Sequence, residues 1–150
     1  MKIVSGGQTG ADRAALERKV ERGIAIGGWV PKGRLAEDGR IPECYAGLVE
    51  TGSPDLAVRT ARNVRDSDAT LILSHGPLEG GSLLTLHEAT RAGRPVLHLD
   101  LEELALADAA DRLRTWLAEL RPAILNVAGA RASRDLRIAA ATGAVLRIAL

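Results

Sequence analysis

Three glycines near the start of the chain are spaced for binding an anion. In the stretch SGGQTGAD, Gly6, Gly7 and Gly10 follow a short apolar segment and precede a helical pattern. Glycines at such a turn let backbone N–H groups approach an anion, and the next helix adds unpaired N–H donors carrying about half a positive charge. Gln8 and Thr9 can add side-chain hydrogen bonds. The spacing is neither GxGxxG nor a loop ending in Gly-Lys-Ser/Thr, so a tight turn without a ligand is the alternative.

Two further turns in the chain have a similar character. The stretch HGPLEGGS brings a second glycine pair to the start of a helical pattern, and NVAGARASRD follows the last apolar segment. If the strands before the two glycine-rich turns are neighbours, the turns form two walls of one cleft, which favours a phosphate or another oxyanion as ligand. From these two turns we expect the following residues to face the ligand: Ser74, Gly80, Gly81, Ser82, Thr85 and Asn126.

Several charged and polar residues have both a binding and a structural interpretation. Asp12, just inside the first helix, either contacts the ligand or stabilises the positive helix end. Lys32 and Arg34 in the stretch PKGR can bring positive charge to a phosphate or another oxyanion, and otherwise they are solvated loop charges. Thr60 and Asn63 are three residues apart on one predicted helix, so both lie along one edge, facing either the cleft or solvent.

No catalytic arrangement follows from the spacing of nucleophiles, bases and metal ligands. His75, His87 and His98 are too scattered to indicate a metal site, and each fits a surface or hydrogen-bonded core histidine. The lone Cys44 is treated as structural. Catalytic residues are therefore left unassigned, and no metal site is predicted.

Short apolar segments alternate with helical patterns along the chain, and they predict the strands and helices that position these residues. The apolar segments are of strand length and do not alternate polar with apolar residues, as is typical of strands covered on both faces. This order predicts one doubly wound α/β domain over residues 1–150, with about five parallel strands and helices on both faces. The predicted strands are 3–5, 69–73, 95–99 and 124–127, with a fifth in the stretch GIAIGGW.

The sequence also predicts a helix N-cap, a C-terminal helix and one long loop. Ser53 is the expected N-cap of a helix with Pro54 at its first position. The tail 133–150 is predicted as one helix through Gly143, although a glycine inside a helix costs about 1 kcal/mol. The segment 31–51 is the one long irregular stretch, and loops of that length usually have a function.

The composition of the chain disfavours nucleic acids and membranes as binding partners. Of the residues, 46% are hydrophobic and 26% charged, which is ordinary for a globular protein, but only 2% are aromatic and the net charge is +1. Scarce aromatic rings disfavour a base-stacking nucleic-acid surface, and the balanced charge favours neither a polyanion nor a membrane. One cysteine and no apolar run of roughly 18 residues predict a cytoplasmic protein. Leu- and Ala-rich helices leave apolar faces for self-association.

Five motifs together resemble a known family. They are SGGQTGADRAAL, GGWVPKGRLAEDG, RTARNVRDSDATLILS, the Gly-Gly-Ser helix start and NVAG, and in this order they span nearly the whole chain. They resemble the molybdenum (molybdenum-cofactor) carrier family, a Rossmann-like group related to the lysine-decarboxylase-like phosphoribohydrolases and to the DNA-processing protein DprA. The resemblance implies a homo-oligomer, a dimer or tetramer, that binds and protects molybdopterin, a phosphorylated pterin carrying a dithiolene-bound molybdenum oxo group. Molybdate or phosphate would be the simplest ligands of the same class.

The same resemblance implies an alternative function. The related phosphoribohydrolases hydrolyse the N-glycosidic bond of nucleoside 5′-monophosphates, and a nucleotide-ligand sensor is a further possibility. Their Pro-Gly-Gly turn leads to Gly-Thr and then a catalytic glutamate. Here Glu79 stands in place of the proline and Leu84 in place of the glycine before Thr85, while Glu88 follows three residues later. We therefore favour a carrier without turnover over an enzyme.

Overall fold

Six parallel strands form one sheet in the computed structural model, which describes residues 1–150 except for the side chains of residues 19 and 20. In chain order the strands are β1 (Lys2–Val4), β2 (Ile26–Val30), β3 (Leu35–Ala36), β4 (Gly39–Arg40), β5 (Leu48–Glu50), β6 (Ala69–Ser74), β7 (Val96–Asp100) and β8 (Ile124–Gly129). The sheet order is β5-β2-β1-β8-β6-β7, and β3 and β4 form a separate antiparallel hairpin.

Helices cover both faces of the sheet. They are α1 (Ala11–Leu16), α2 (Arg18–Arg22), α3 (Leu56–Arg65), α4 (Gly80–Arg91), α5 (Leu106–Leu120) and α6 (Ile138–Ala149). Helices α1, α5 and α6 pack on one face, where Leu71, Leu125 and Val145 are fully buried in the main core. Helices α3 and α4 pack together on the opposite face. The predicted doubly wound, Rossmann-like α/β fold is therefore confirmed.

The sheet has six strands rather than the five expected. The additional strand, β5, has only three residues and lies inside 31–51, the segment predicted to be irregular. The β3–β4 hairpin lies in the same segment. Elements of two or three residues are too short to show a hydrophobic period, so the sequence pattern could not separate them from a loop.

The position of β8 corrects the expectation that the strands before the two glycine-rich turns are neighbours. β8 pairs with β1 on one side and with β6 on the other, so Asn126 lies in register with both Val4 and Thr70. The last strand of the chain thus separates the strands that precede the turns. As a result, three adjacent carboxyl ends, those of β1, β8 and β6, meet at one place on the sheet edge.

Two helix starts lie further along the chain than expected. Helix α3 has Asp55 rather than Ser53 as its N-cap, because the Asp55 side chain accepts a hydrogen bond from the Ala57 amide at 2.9 Å. Helix α6 begins at Ile138 rather than at residue 133, and it continues unbroken through Gly143. Asp135 accounts for the later start, since its carboxylate accepts a hydrogen bond from the Arg137 amide at 2.9 Å in a preceding turn.

Candidate functional site

A cleft of about 360 Å³ opens where β1, β8 and β6 end. Its walls come from these three strand ends and from the first turns of α1 and α4, with α3 on one side. This is the sheet edge where open α/β folds bind ligands. The sequence-predicted residues that line the cleft are Gly6, Gln8, Asp12, Thr60, Asn63, Ser74, Gly80, Gly81, Ser82, Thr85 and Asn126.

The N-terminus of α4 presents free backbone donors to this cleft. Gly80 has a φ of 50°, a left-handed conformation that favours glycine, and the cap residue Glu79 makes no side-chain capping bond within the described part of the chain. The amides of Gly80 and Gly81 precede the first intrahelical hydrogen bonds. A Cβ atom on Gly81 would meet nothing within 4 Å, so the space beside that residue is open. An oxyanion can therefore reach the positive end of a twelve-residue helix.

Arg59 brings a buried positive charge to the end of β1. Its side chain is only 8% exposed, and its Nη1 donates a hydrogen bond of 2.5 Å to the carbonyl oxygen of Gly6. Burial lowers the pKa of Arg59, with Asp12 acting in the opposite direction, and a guanidinium stays charged at neutral pH. Arg59 was not among the residues predicted from the sequence, although it precedes Thr60 and lies one turn before Asn63 on the same helix.

Asp12 lies in the first turn of α1 and faces the cleft. Its Oδ2 accepts a hydrogen bond from the Gln8 amide at 3.2 Å, so the carboxylate also holds the glycine-rich turn in place. Burial raises the pKa of Asp12 to about 6, against the opposing effect of the Arg59 charge. Asp12 therefore stabilises the glycine-rich turn and also lies in the cleft, so its two interpretations do not exclude each other.

His75 and Asp135 form a pair at the cleft wall that sequence analysis did not anticipate. His75 Nδ1 donates to Asp135 Oδ2 at 2.5 Å, and the side chains are 10% and 12% exposed. Although burial opposes ionisation of Asp135, the hydrogen bonds from His75 and from the Arg137 amide hold the pKa of its carboxyl below the usual value. The two residues are 60 positions apart in the chain, and no local pattern could have joined them.

Other polar residues of the cleft are already engaged by the protein. Asn63 joins α3 to β2, since its Oδ1 accepts from the Trp29 amide at 2.7 Å and its Nδ2 donates to the Trp29 carbonyl at 3.0 Å. Thr85 Oγ1 donates to the Gly81 carbonyl at 2.8 Å. Ser74 Oγ donates to the Gly76 carbonyl at 2.7 Å. These residues shape the cleft, while the helix amides and the arginines supply its positive charge.

Gly7, Thr9 and Gly10 do not line the cleft, although they belong to the same glycine-rich turn. Gly10 has a φ of 84°, and a Cβ atom there would overlap the Ala130 carbonyl oxygen. Thr9 Oγ1 accepts a hydrogen bond from the Ala132 amide at 3.1 Å and donates to Glu37 of the β3–β4 hairpin. This half of the turn holds the hairpin and the loop after β8 in place.

Lys32 and Arg34 also lie away from the cleft. Lys32 is exposed. Arg34 is buried, and it donates to the carbonyl oxygens of Ile41 at 3.3 Å and Pro42 at 3.0 Å. The cationic residues that the structure does bring to the cleft are Arg59, Arg131 and Arg134.

The remaining candidates have other positions. Glu88 pairs with Arg91 and is not among the residues lining the cleft. Cys44 is exposed. Among the described residues, no group of three His, Cys, Asp or Glu side chains could hold a metal ion, and no helix is long and apolar enough to cross a membrane.

Comparison with known proteins gives two matches. Residues 3–150 match the model of the circularly permutated YpsA SLOG family (cpYpsA). The crystal structure of a protein named "Putative molybdenum carrier protein", from Syntrophus aciditrophicus SB, is 50% identical in sequence and superposes with a TM-score of 0.97, covering 99% of this chain and 94% of that one. No curated protein matches the chain at a significant level. The two matches confirm the Rossmann-like molybdenum carrier family inferred from the sequence.

Proposed function

The chain belongs to the circularly permutated YpsA SLOG family, and we propose that it carries molybdenum cofactor bound in the cleft at the end of β1, β8 and β6. The cofactor is cargo, held through its phosphate and protected without turnover. The name of the 50% identical protein supports a carrier role. The observation that carries the proposal is the uncapped N-terminus of α4, open to the same cleft as three arginines.

The cleft fits the chemistry of a phosphorylated heterocycle. Its volume of about 360 Å³ lies within the range of small-molecule sites. The amides of Gly80 and Gly81 can bind phosphate oxygens, and Arg131 and Arg134 can add charge-assisted hydrogen bonds. Pro77, Leu78 and Ala128 supply apolar wall for the ring system.

Native mass spectrometry tests this proposal directly. The protein would be purified anaerobically from cells that make molybdenum enzymes, and its bound mass and molybdenum content would be measured. We expect the mass of a molybdopterin species in the wild type and its absence in Gly81→Val, with Gly52→Val as a matched glycine control. A bound nucleotide would favour the sensor function instead. Release of free base from added nucleoside monophosphates would favour the phosphoribohydrolase alternative.

We also propose that the chain forms a homo-oligomer of two or four copies. Leu136 is 89% exposed beside α6, and Ile148 on that helix is also exposed. Isolated surface leucines are common, so the exposed pair supports this proposal only together with the family. Sedimentation at micromolar concentration should show a dimer or tetramer, and a single monomeric species would contradict it.

A further inference from the structure

The charged side chains that line the cleft balance each other when His75 is neutral. The cations are Arg59, Arg131 and Arg134, and the carboxyl groups are Asp12, Glu79 and Asp135. A phosphate monoester or molybdate brings two negative charges into this balanced site. A dianion in a partly buried site favours uptake of a proton by a nearby basic group, because the proton reduces the uncompensated charge.

His75 has the geometry to take up that proton. Its Nδ1 is held by Asp135, and Asp135 is fixed in turn by the Arg137 amide at 2.9 Å. Nε2 accepts no hydrogen bond from a described residue, and it is not among the buried polar atoms that lack a partner. The nitrogen is therefore accessible to solvent, and the residue lines the cleft.

We propose that His75 is a ligand-binding residue that becomes protonated when a dianionic ligand enters, so that its Nε2–H donates to a ligand oxygen. The proton comes from solvent, Asp135 stays a carboxylate, and no covalent bond changes. In the neutral pair the Nε2 lone pair faces the cleft and repels an oxyanion, whereas the imidazolium attracts it. This inference rests on the proposed binding function, and it specifies a dianionic phosphate monoester or oxyanion as the ligand class.

The charges around His75 come from three parts of the fold. Arg134, Asp135 and Arg137 lie in the segment before α6, Asp100 ends β7, and Glu79 directly precedes α4. Asp100 accepts hydrogen bonds from the Gly76 and Glu102 amides, and these lower the pKa of its carboxyl, with a smaller contribution from His75. The carboxylates of Asp135 and Asp100 therefore both lie near the ring.

Asp12 is the competing proton acceptor. Burial raises the pKa of its carboxyl to about 6, so it too can bind a proton when a dianion approaches. Its Oδ2 is already occupied by the Gln8 amide, whereas Nε2 of His75 is open. The experiment must therefore distinguish the two residues.

Calorimetry with sulfate provides the test, because sulfate stays a dianion at neutral pH and does not itself take up the proton. Binding enthalpies measured in buffers of different ionisation enthalpy give the number of protons taken up. We expect about one proton per site in the wild type, and an affinity that falls by up to about tenfold per pH unit as pH rises. In His75→Gln and Asp135→Asn the uptake should vanish, and in His75→Gln the affinity should fall at least about tenfold.

Two controls decide the outcome. His87→Gln, on the exposed side of α4, and Asp12→Asn should both keep the proton uptake. Uptake that survives in His75→Gln but disappears in Asp12→Asn would overturn the inference. Tight sulfate binding without proton uptake would overturn it while leaving the binding function intact. No sulfate binding to the wild type, or binding unaffected by Gly81→Val, would overturn both proposals.

Discussion

The guanidinium of Arg59 occupies the space that a side chain on Gly6 would need. Nη1 of Arg59 donates to the Gly6 carbonyl oxygen at 2.5 Å, and a Cβ atom on Gly6 would lie 2.6 Å from Arg59 Cζ. Glycine is therefore needed at position 6 because the side chain of Arg59, 53 residues away, fills the space beside it, and not because of the backbone conformation of Gly6. The glycine-rich turn and α3 together place a buried positive charge in the cleft.

Replacing Gly6 with Ala should weaken anion binding more than it weakens the fold. The overlapping atoms are at the end of a flexible side chain, so Arg59 can move aside, at a cost of about 1–3 kcal/mol for overpacking. The displaced guanidinium would lose its hydrogen bond to Gly6 and its place in the cleft. Chemical denaturation and sulfate calorimetry measure the two effects. Gly52→Ala, at an exposed glycine with open space around it, is the matched control and should change neither.

Gly81→Val should abolish anion binding in a folded protein. The new side chain would enter the open space beside the first turn of α4, where the anion is expected to lie. Valine near a helix start costs only a few tenths of a kcal/mol relative to better helix formers, so the melting temperature should change little. Calorimetry with phosphate or sulfate compares this variant with Gly52→Val. Unchanged affinity in Gly81→Val would place the anion elsewhere.

The sequence predicted most of the central sheet because its patterns are local. Runs such as those of β6 and β8 are continuous, apolar and bounded by turn residues, which identifies buried parallel strands. Glycine pairs before helical patterns likewise located two of the turns that form the cleft. By contrast, β5 and the β3–β4 hairpin are held by their pairing partners and are too short to show a pattern of their own.

The residues of the cleft that sequence analysis missed depend on distant contacts. Arg59 is near Gly6 only because α3 packs against β2, and His75 meets Asp135 only because β8 lies beside β6. The insertion of the last strand between β1 and β6 could not be read from the order of elements. Lys32 and Arg34 were expected in the cleft for their charge and loop position, but the segment 31–51 folds so that Arg34 binds backbone carbonyls instead.

Lys32 and Arg34 should therefore behave differently from Arg59 on truncation. Lys32→Ala removes an exposed charge outside the cleft, so sulfate affinity and stability should both stay near the wild-type values. Arg34→Ala leaves the Ile41 and Pro42 carbonyls without their donor and should destabilise the fold by about 1–3 kcal/mol. Arg59→Ala should reduce sulfate affinity. Denaturation and calorimetry on the three variants give the comparison. A loss of sulfate affinity in Lys32→Ala would mean that Lys32 takes part in anion binding.

Asp12 should make the protein less stable as pH rises through the acidic range. Its carboxyl has a pKa of about 6 in the folded protein and an ordinary value of 3.8, so between these values the folded state binds more protons than the unfolded one. The free energy of unfolding then decreases with increasing pH across this window, and the contribution at neutral pH reaches about 3 kcal/mol of lost stability.

Asp12→Asn should remove this dependence. The amide oxygen can still accept from the Gln8 amide without the cost of a buried charge, so the variant should be more stable than the wild type at neutral pH and similar to it near about pH 4. Urea denaturation of both proteins from about pH 4 to about pH 8 measures the difference. A wild-type stability that rises relative to Asp12→Asn with pH would mean that interactions with Arg59 outweigh burial, and that Asp12 is ionised throughout.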